Sequence, residues 1–268
     1  MLNDIAALTR LRHFLLDLDG TIYLGRNVIP GAVEFVQFLH DTERPHLFFT
    51  NNSSKSAREY ADKLTAMGIP STPENILSSG EATIRYLLST TLHRRVYAIG
   101  TPSFEAELRA AGIELADSDP EAVVLAFDNT LTYAKLERAC LLLRTGLPYY
   151  ATNPDKVCPT EYGYIPDCGS IAALLREATG RSPEFIGKPN TAMVQIAMQK
   201  IGAAPETTAM VGDRLYTDMQ MAYNAGIAAI LVLSGETKRV DLDATECKPG
   251  FIFDSVDDLH AALTTIQK

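Results

Sequence analysis

Two aspartates lie two residues apart, Asp17 and Asp19, directly after the short apolar run at 14–16. Such a run is typical of a strand buried on both faces of a parallel sheet. Because side chains two apart on a strand point to the same side, both carboxylates can face one spot where the strand ends. Two close carboxylates repel each other, so the pair favours a shared proton or a hard cation such as Mg²⁺. Gly20 permits a sharp turn here, and an Asp-rich turn without chemistry is the alternative.

The composition excludes several classes of protein. The chain has 268 residues, 46% of them hydrophobic, which is enough for one large domain or two ordinary ones. Its 33 acidic and 24 basic residues give a formal net charge of -9, which disfavours a nucleic-acid-binding protein because such proteins carry a basic face. The cysteines form no C-x-x-C pair and the histidines no H-x-x-x-H pair, so no zinc site is predicted. Free thiols, the lack of an apolar leader and the lack of a long apolar run predict a cytoplasmic protein with no membrane partner.

Strand and helix patterns alternate along the chain, which predicts an α/β fold with a parallel sheet. After the first strand, further strands are predicted at 46–49, 96–99, 123–127, 149–152, 184–186, 208–211, 227–233 and 251–253. Helices are predicted at 32–40, 55–67, 82–88, 102–110, 133–144, 171–178, 191–201, 217–225 and 256–266. Prolines and glycines make 153–170 a turn-rich stretch between these elements.

Polar side chains follow four of the predicted strands, and parallel strands place their carboxyl ends at one edge of a sheet. Besides Asp17 and Asp19, Thr50 offers a hydroxyl beside a helix N-terminus, where free N–H groups favour an anion. Asn51 and Asn52 fit that anion site or an ordinary helix cap. Lys188, between a strand and a helix, could hold a phosphate as a point charge or be a simple loop lysine.

The fourth strand end carries the segment Gly-Asp-Arg-Leu-Tyr-Thr-Asp at 212–218. Asp213 could complete the oxygen shell of Mg²⁺, and Asp218 could hold a metal-bound water or orient Lys188. The alternative is a turn followed by an aspartate that stabilises a helix start. Together, three acids, one lysine and one hydroxyl at one sheet edge favour a catalytic site over that alternative.

In this order the motifs resemble the haloacid dehalogenase-like superfamily of aspartate-nucleophile phosphohydrolases. The more specific resemblance is to its NagD-like, para-nitrophenylphosphatase branch (subfamily IIA). Its marks are Asp-Gly-Thr-Ile-Tyr at 19–23, Phe-Thr-Asn-Asn-Ser at 49–53, Gly-Lys-Pro at 187–189 and the segment 212–218. The resemblance covers nearly the whole chain and is not specific for a substrate. It implies a Rossmann-like parallel-sheet core at 1–80 and 179–268, with an inserted α/β cap domain at 81–178.

The resemblance also implies an activity, that of a Mg²⁺-dependent phosphatase acting on small phosphate monoesters such as sugar phosphates, with p-nitrophenyl phosphate as an artificial substrate. Asp17 would attack phosphorus and form an aspartyl-phosphate, while Asp19 would act as general acid and then general base. Asp17, the backbone carbonyl of Asp19, and Asp213 would bind Mg²⁺, with Gly20 and Asp218 in supporting positions. The residues implied to hold the phosphoryl oxygens are Thr50, Asn51, Asn52 and Lys188.

Two other activities stay open at this point. A phosphomutase would use the same two aspartates, and a non-catalytic switch would keep the phosphate on Asp17. The cap is expected to choose the substrate, with polar residues of its turn-rich stretch as candidate contacts or as ordinary loop-forming side chains. These residues are Asn153, Asp155, Asp167 and Ser170. A homodimer is left open.

Overall fold

The computed structural model describes residues 5–160, 162–243 and 245–266. By their contacts these residues form two compact units. The first unit comprises the described residues within Met1–Phe49, Tyr60–Leu77 and Ala197–Lys268, and the second comprises those within Thr50–Glu59 and Ser78–Ile196. The predicted domain limits of 81 and 178 stay a prediction, because the contacts also group 50–59 and 179–196 with the second unit.

Fifteen strands and ten α-helices are assigned within the described residues. The strands are β1 (His13–Leu16), β2 (Tyr23–Leu24), β3 (Asn27–Val28), β4 (His46–Thr50), β5 (Ile76–Ser78), β6 (Arg95–Ile99), β7 (Glu114–Leu115), β8 (Ala122–Leu125), β9 (Tyr149–Ala151), β10 (Val157–Thr160), β11 (Gly163–Pro166), β12 (Glu184–Phe185), β13 (Thr208–Gly212), β14 (Ala228–Val232) and β15 (Phe251–Phe253). The α-helices are α1 (Ile5–Leu8), α2 (Ala32–Asp41), α3 (Ala57–Ala66), α4 (Ser79–Thr90), α5 (Pro102–Ala110), α6 (Tyr133–Arg144), α7 (Cys168–Thr179), α8 (Thr191–Ile201), α9 (Gln220–Ala225) and α10 (Val256–Ile266). Short 3₁₀ turns lie at Pro73–Asn75, Pro205–Thr207 and Arg239–Leu242, and a π-helical turn lies at Leu215–Met219.

The first unit is built on a six-stranded sheet in the order β15-β14-β13-β1-β4-β5. Its central strand β1 pairs in parallel with both β13 and β4. All five residues of β13 are buried, as are the last three of β1, so these strands need apolar side chains on both faces. This explains why their sequences read as continuous apolar runs. Helix α2 buries Phe35, Val36 and Leu39, which recur at helical spacing.

The second unit contains a five-stranded parallel sheet in the order β12-β9-β8-β6-β7. Its core includes Val124 of β8 with Phe104 and Leu108 of α5 on one side. On the other side, Leu125 packs with residues of α6 and α7. Side chains that accept from the first free N–H groups cap α4, α5, α6 and α7.

The structure confirms the predicted α/β class, while several local predictions were wrong. The stretch 153–170 is not irregular throughout, because β10 and β11 form an antiparallel hairpin in it and α7 begins at Cys168. Both hairpin strands are largely exposed and contain proline, so they show neither alternation nor an apolar run. The predicted helix 217–225 is a π-helical turn followed by α9. No helix within the described residues combines the length and the apolar character that crossing a membrane requires.

Candidate active site

Three buried aspartates of the first unit, Asp17, Asp213 and Asp218, form a group that we call the carboxylate cluster. One carboxylate oxygen from each lies within 4.8 Å of the others. The parallel register pairs Leu16 with Val211, and the Asp17 N–H continues this ladder by donating to the Val211 carbonyl at 2.9 Å. Asp17 and Asp213 therefore leave two adjacent strands at the same edge, and the following π-helical turn carries Asp218.

Three glycines shape the space around the carboxylate cluster. A Cβ atom at Gly20 or Gly235 would overlap the carboxylate of Asp213, and one at Gly212 would overlap that of Asp218. Gly20 also has a φ of +88°, in the left-handed region that favours glycine. Any other residue at these positions would displace a cluster carboxylate.

The loop 234–237 after β14 holds Asp213 from a third strand end. The Glu236 N–H donates to Asp213 Oδ2 at 2.6 Å, and the Ser234 hydroxyl donates to the Gly20 carbonyl at 2.6 Å. The Glu236 carboxylate forms an ion pair with Arg214 Nε at 3.1 Å. Arg214, which follows Asp213 in the chain, is therefore bound to the same loop.

Arg214 supplies positive charge next to the carboxylate cluster. Burial acts to lower the pKa of Arg214, but the negative charges of Asp17 and Asp213 outweigh burial and raise it. Its backbone N–H also donates to Asp218 Oδ2 at 3.2 Å. One guanidinium, already paired with Glu236, does not neutralise three buried carboxylates. The excess negative charge and the all-oxygen donor set fit a hard divalent cation such as Mg²⁺.

The side chain of Asp19 is placed differently from the carboxylate cluster. It is half-buried, and the hydroxyl of the buried Tyr23 donates to its Oδ2 at 3.4 Å. Burial and the charge of Asp19 raise the pKa of Tyr23, so the phenol stays protonated and can donate. The Lys63 ammonium lies 3.5 Å from the centre of the Tyr23 ring, and this cation–π contact helps to hold the ring in place. This long contact between Tyr23 and Asp19 restricts the orientation of the Asp19 carboxylate.

The other predicted residues, Thr50, Asn51, Asn52 and Lys188, belong to the second unit. Lys188 is 3% exposed. The side chain of Asn51 bonds both backbone polar groups of Lys188: its Oδ1 accepts from the N–H at 2.8 Å, and its Nδ2 donates to the carbonyl at 3.0 Å. Asn52 Oδ1 accepts from the Ser54 N–H at 2.9 Å, and Thr50 Oγ1 accepts from the Asn52 N–H at 3.2 Å. Both asparagine side chains therefore have hydrogen-bond partners within the second unit.

Two of the polar residues that follow β9 have structural roles. Asn153 is 0% exposed and donates to Asp167 Oδ1 at 3.1 Å. Asp167 caps helix α7 through the Cys168 N–H. Both side chains are buried and hydrogen-bonded within the second unit, and their contact with a substrate stays a prediction. Ser170 donates to the Lys156 carbonyl, and Asp155 accepts from Asn51 at 3.0 Å.

Four residues that define this geometry were not predicted from the sequence: Tyr23, Arg214, Gly235 and Glu236. Two signals were available. Tyr23 and Arg214 lie inside the motifs 19–23 and 212–218, and a Ser-Gly-Glu-Thr segment at 234–237 follows an apolar strand. The backbone role of Asn51 had no signal in the sequence, since it depends on a residue 137 positions away.

Family models, sequence relatives and a solved structure all show that this chain is similar to hydrolases. A family model described as haloacid dehalogenase-like hydrolase matches residues 14–114, and one described as HAD-hydrolase-like matches 185–259. The 5'-nucleotidase YutF of Bacillus subtilis is 37% identical over 247 residues, covering 92% of this chain and 96% of that protein. The acid sugar phosphatase of Staphylococcus haemolyticus is 35% identical over 258 residues, covering 96% and 97%. The crystal structure of a 4-nitrophenylphosphatase from Thermotoga maritima superposes with a TM-score of 0.92 at 43% identity, covering 95% and 98%.

Proposed function

Since the chain belongs to the haloacid dehalogenase-like hydrolases, in their NagD-like, 4-nitrophenylphosphatase branch, and is a phosphoric monoester hydrolase, we propose that it cleaves small phosphate monoesters with Mg²⁺ through an aspartyl-phosphate. The family and enzyme class predicted from the motifs are confirmed. The observation that carries the mechanistic proposal is the carboxylate cluster, whose oxygens lie within 4.8 Å of one another. Three buried acids at this spacing are costly for a fold unless a cation or a reaction uses them.

In the proposed reaction an oxygen of Asp17 forms a bond to phosphorus while the bond to the leaving oxygen breaks. Asp19 donates a proton to that leaving oxygen and then takes one from the water that hydrolyses the aspartyl-phosphate. Release of inorganic phosphate regenerates both side chains. The contact of Asp19 with Tyr23 supports this role, because a general acid needs a fixed orientation.

The residues that would hold Mg²⁺ are Asp17, Asp213 and the backbone carbonyl of Asp19, with Asp218 beside them. When bound, the ion supplies positive charge that lets a carboxylate approach a phosphate dianion. Asp213 is held in place by the Glu236 N–H and by the close approach that Gly20 and Gly235 allow. These contacts support a ligand role because a metal ligand must be oriented before the ion arrives.

Lys188, the Thr50 hydroxyl, Asn51 and Asn52 are proposed to hold the phosphoryl oxygens. The Asn52 N–H would exchange its 3.2 Å bond to Thr50 Oγ1 for one to the phosphate. The buried position of Lys188 supports this role, since a buried positive charge attracts an anion more strongly than one in water does. The names of the two sequence relatives support sugar phosphates and nucleoside 5'-monophosphates as substrate classes. We further propose that the inserted segment 81–178 selects among them, and that the protein works in the cytoplasm, where its four cysteines stay reduced.

The test is a screen of the purified protein against phosphate monoesters, with Mg²⁺ and with a chelator. It should include p-nitrophenyl phosphate, sugar phosphates, glycerol phosphates and nucleoside 5'-monophosphates. We expect multiple turnovers with phosphate release only in the presence of Mg²⁺, and none for Asp17→Asn. Asp62→Asn is the matched control, since this exposed aspartate of α3 undergoes the same chemical change away from the carboxylate cluster. A phosphoprotein that persists without turnover would favour a switch, and transfer to a second hydroxyl without phosphate release would favour a mutase.

A further inference from the structure

The amide of Asn51 lies between a backbone segment and a carboxylate. Its Oδ1 accepts from the Lys188 N–H at 2.8 Å, and its Nδ2 donates to both the Lys188 carbonyl and Asp155 Oδ2, each at 3.0 Å. A primary amide has two N–H donors, and both are used here. The Lys188 N–H requires an oxygen of the amide, and the Lys188 carbonyl and the Asp155 carboxylate require its nitrogen. These partners therefore assign the orientation of the Asn51 amide.

Asn51 itself is held by the surrounding second unit. The Ser79 hydroxyl donates to the Asn51 carbonyl at 2.5 Å. Gly187, immediately before Lys188, donates its N–H to the Thr152 carbonyl at 2.7 Å. A Cβ atom at Gly187 would lie 2.5 Å from the Thr152 carbonyl oxygen and 2.7 Å from Asn51 Oδ1. Glycine at this position therefore lets the lysine segment lie directly on the Asn51 amide.

Asp155 is the outer member of this chain of contacts. It lies between β9 and the hairpin strand β10, and it is partly accessible to solvent. Without its carboxylate, one N–H of the buried Asn51 amide would lose its acceptor. The amide could then rotate, and both of its bonds to the Lys188 backbone depend on the present orientation.

We propose that Asp155 is a positioning residue for the phosphate-holding lysine, acting through the Asn51 amide on the backbone of Lys188. The inference rests on the proposed function, because it takes from there the role of Lys188 in holding phosphoryl oxygens. Asp155, next to the β10–β11 hairpin, would then strengthen phosphate binding although its own negative charge repels an anion.

The sign of that charge makes the proposal testable. If Asp155 acted only through its field, removing its negative charge would strengthen the binding of an anion. If it acts by orienting Asn51, removing the acceptor weakens binding. Asp155→Asn separates the two effects, because it removes the charge and keeps a carbonyl oxygen that can accept from Asn51.

The experiment measures the affinity of the Mg²⁺-loaded protein for inorganic phosphate, by calorimetry and by inhibition of p-nitrophenyl phosphate hydrolysis. We expect Asp155→Ala to weaken phosphate binding about tenfold, the scale of one lost hydrogen bond to a charged group. Asp155→Asn should bind at least as tightly as wild type. In a Lys188→Ala background, Asp155→Ala should have no further effect, as expected for residues that act as one unit.

Each contrary result has a defined meaning. Unchanged or tighter binding by Asp155→Ala, equal weakening by both Asp155 variants, or full weakening in the Lys188→Ala background would overturn the positioning role. If Lys188→Ala alone binds phosphate as wild type does, the proposed role of Lys188 fails instead.

Urea unfolding of each variant identifies a loss of affinity that comes from a loss of fold. In that case Asn51→Asp, with and without Asp155→Asn, supplies an independent pair of variants. Asn51→Asp sets a carboxylate against both Asp155 and the Lys188 carbonyl, and the second change restores a donor only at the contact with residue 155. Phosphate affinity should therefore recover in part, and a lack of recovery would count against the positioning role.

Discussion

Replacing Gly235 with alanine tests whether the loop after β14 prepares the carboxylate cluster for Mg²⁺. The added Cβ would fall on the carboxylate of Asp213, closer than any real contact. Either this carboxylate or the loop must move. In both cases the hydrogen bond from the Glu236 N–H to Asp213 Oδ2, now 2.6 Å, is lengthened or lost. Gly235 has no positive φ to complicate the result, so the steric overlap is the main perturbation.

The magnitude follows from the kind of bond that is lost. A hydrogen bond to a charged group contributes about 1.5–3 kcal/mol. If that contribution holds Asp213 in its ligand position, its loss raises the Kd for Mg²⁺ by about 10- to 100-fold. The same range, about 10- to 100-fold, is typical when a residue that orients a metal ligand is changed.

Calorimetric titration of the metal-free protein with Mg²⁺ measures this affinity without relying on turnover. Gly250→Ala is the matched control, because a Cβ there would lie 3.6 Å from its nearest neighbour, the Ala229 carbonyl oxygen, an ordinary contact. We expect the control to bind Mg²⁺ as wild type does. A folded Gly235→Ala protein with unchanged Mg²⁺ affinity, or a control equally weakened, would refute the reasoning.

Three further predictions concern single side chains. Asp19→Asn should lower kcat/KM by about 10²–10⁴ on alkyl phosphates and much less on p-nitrophenyl phosphate, whose leaving group needs little protonation. Because kcat/KM excludes hydrolysis of the shared aspartyl-phosphate, equal losses of kcat/KM on the two substrates would contradict general acid catalysis. Burial lowers the pKa of His46 from its ordinary 6.5, so below that pH the unfolded chain takes up a proton that the folded chain does not. Stability should therefore fall from about pH 7 to 5, by at most about 1.4 kcal/mol per pH unit, and urea titrations of His46→Gln should show a shallower fall. Burial raises the pKa of Cys168 to about 12, so iodoacetamide at pH 8.5 should modify it only after unfolding, as peptide mass spectrometry would show.

The regular elements of both sheets could be predicted because their local signals agree with their burial. Helices α6, α8 and α10 begin and end at the predicted residues. In α6, the Thr132 side chain accepts from the Lys135 N–H and supplies a clear start signal. The buried strands β1 and β13 read as apolar runs because both of their faces are covered.

The β10–β11 hairpin could not be predicted in the same way. Strands β10 and β11 are exposed on both faces, and Tyr162 between them is 97% exposed. Without a buried face, nothing requires a period of two in the sequence, and Pro159 and Pro166 argue against strands altogether. The pairing depends on backbone hydrogen bonds that composition does not reveal.

The candidate site could also be predicted only in part: the types of its side chains are visible in the sequence, whereas its backbone contacts are not. The acids at 17, 213 and 218 could be predicted because they follow buried strands whose carboxyl ends meet at one edge of a parallel sheet. The residues that hold them are glycines and a backbone N–H, and their sequence signal is that of any turn. Yet the sheet order β14-β13-β1 makes the loop after β14 a neighbour of Asp213 as directly as the loop after β1. In a parallel sheet of this kind, the segment after the strand next to a ligand-bearing strand end is therefore expected to contain glycine, because a ligand carboxylate needs space and an N–H donor more than it needs another charge.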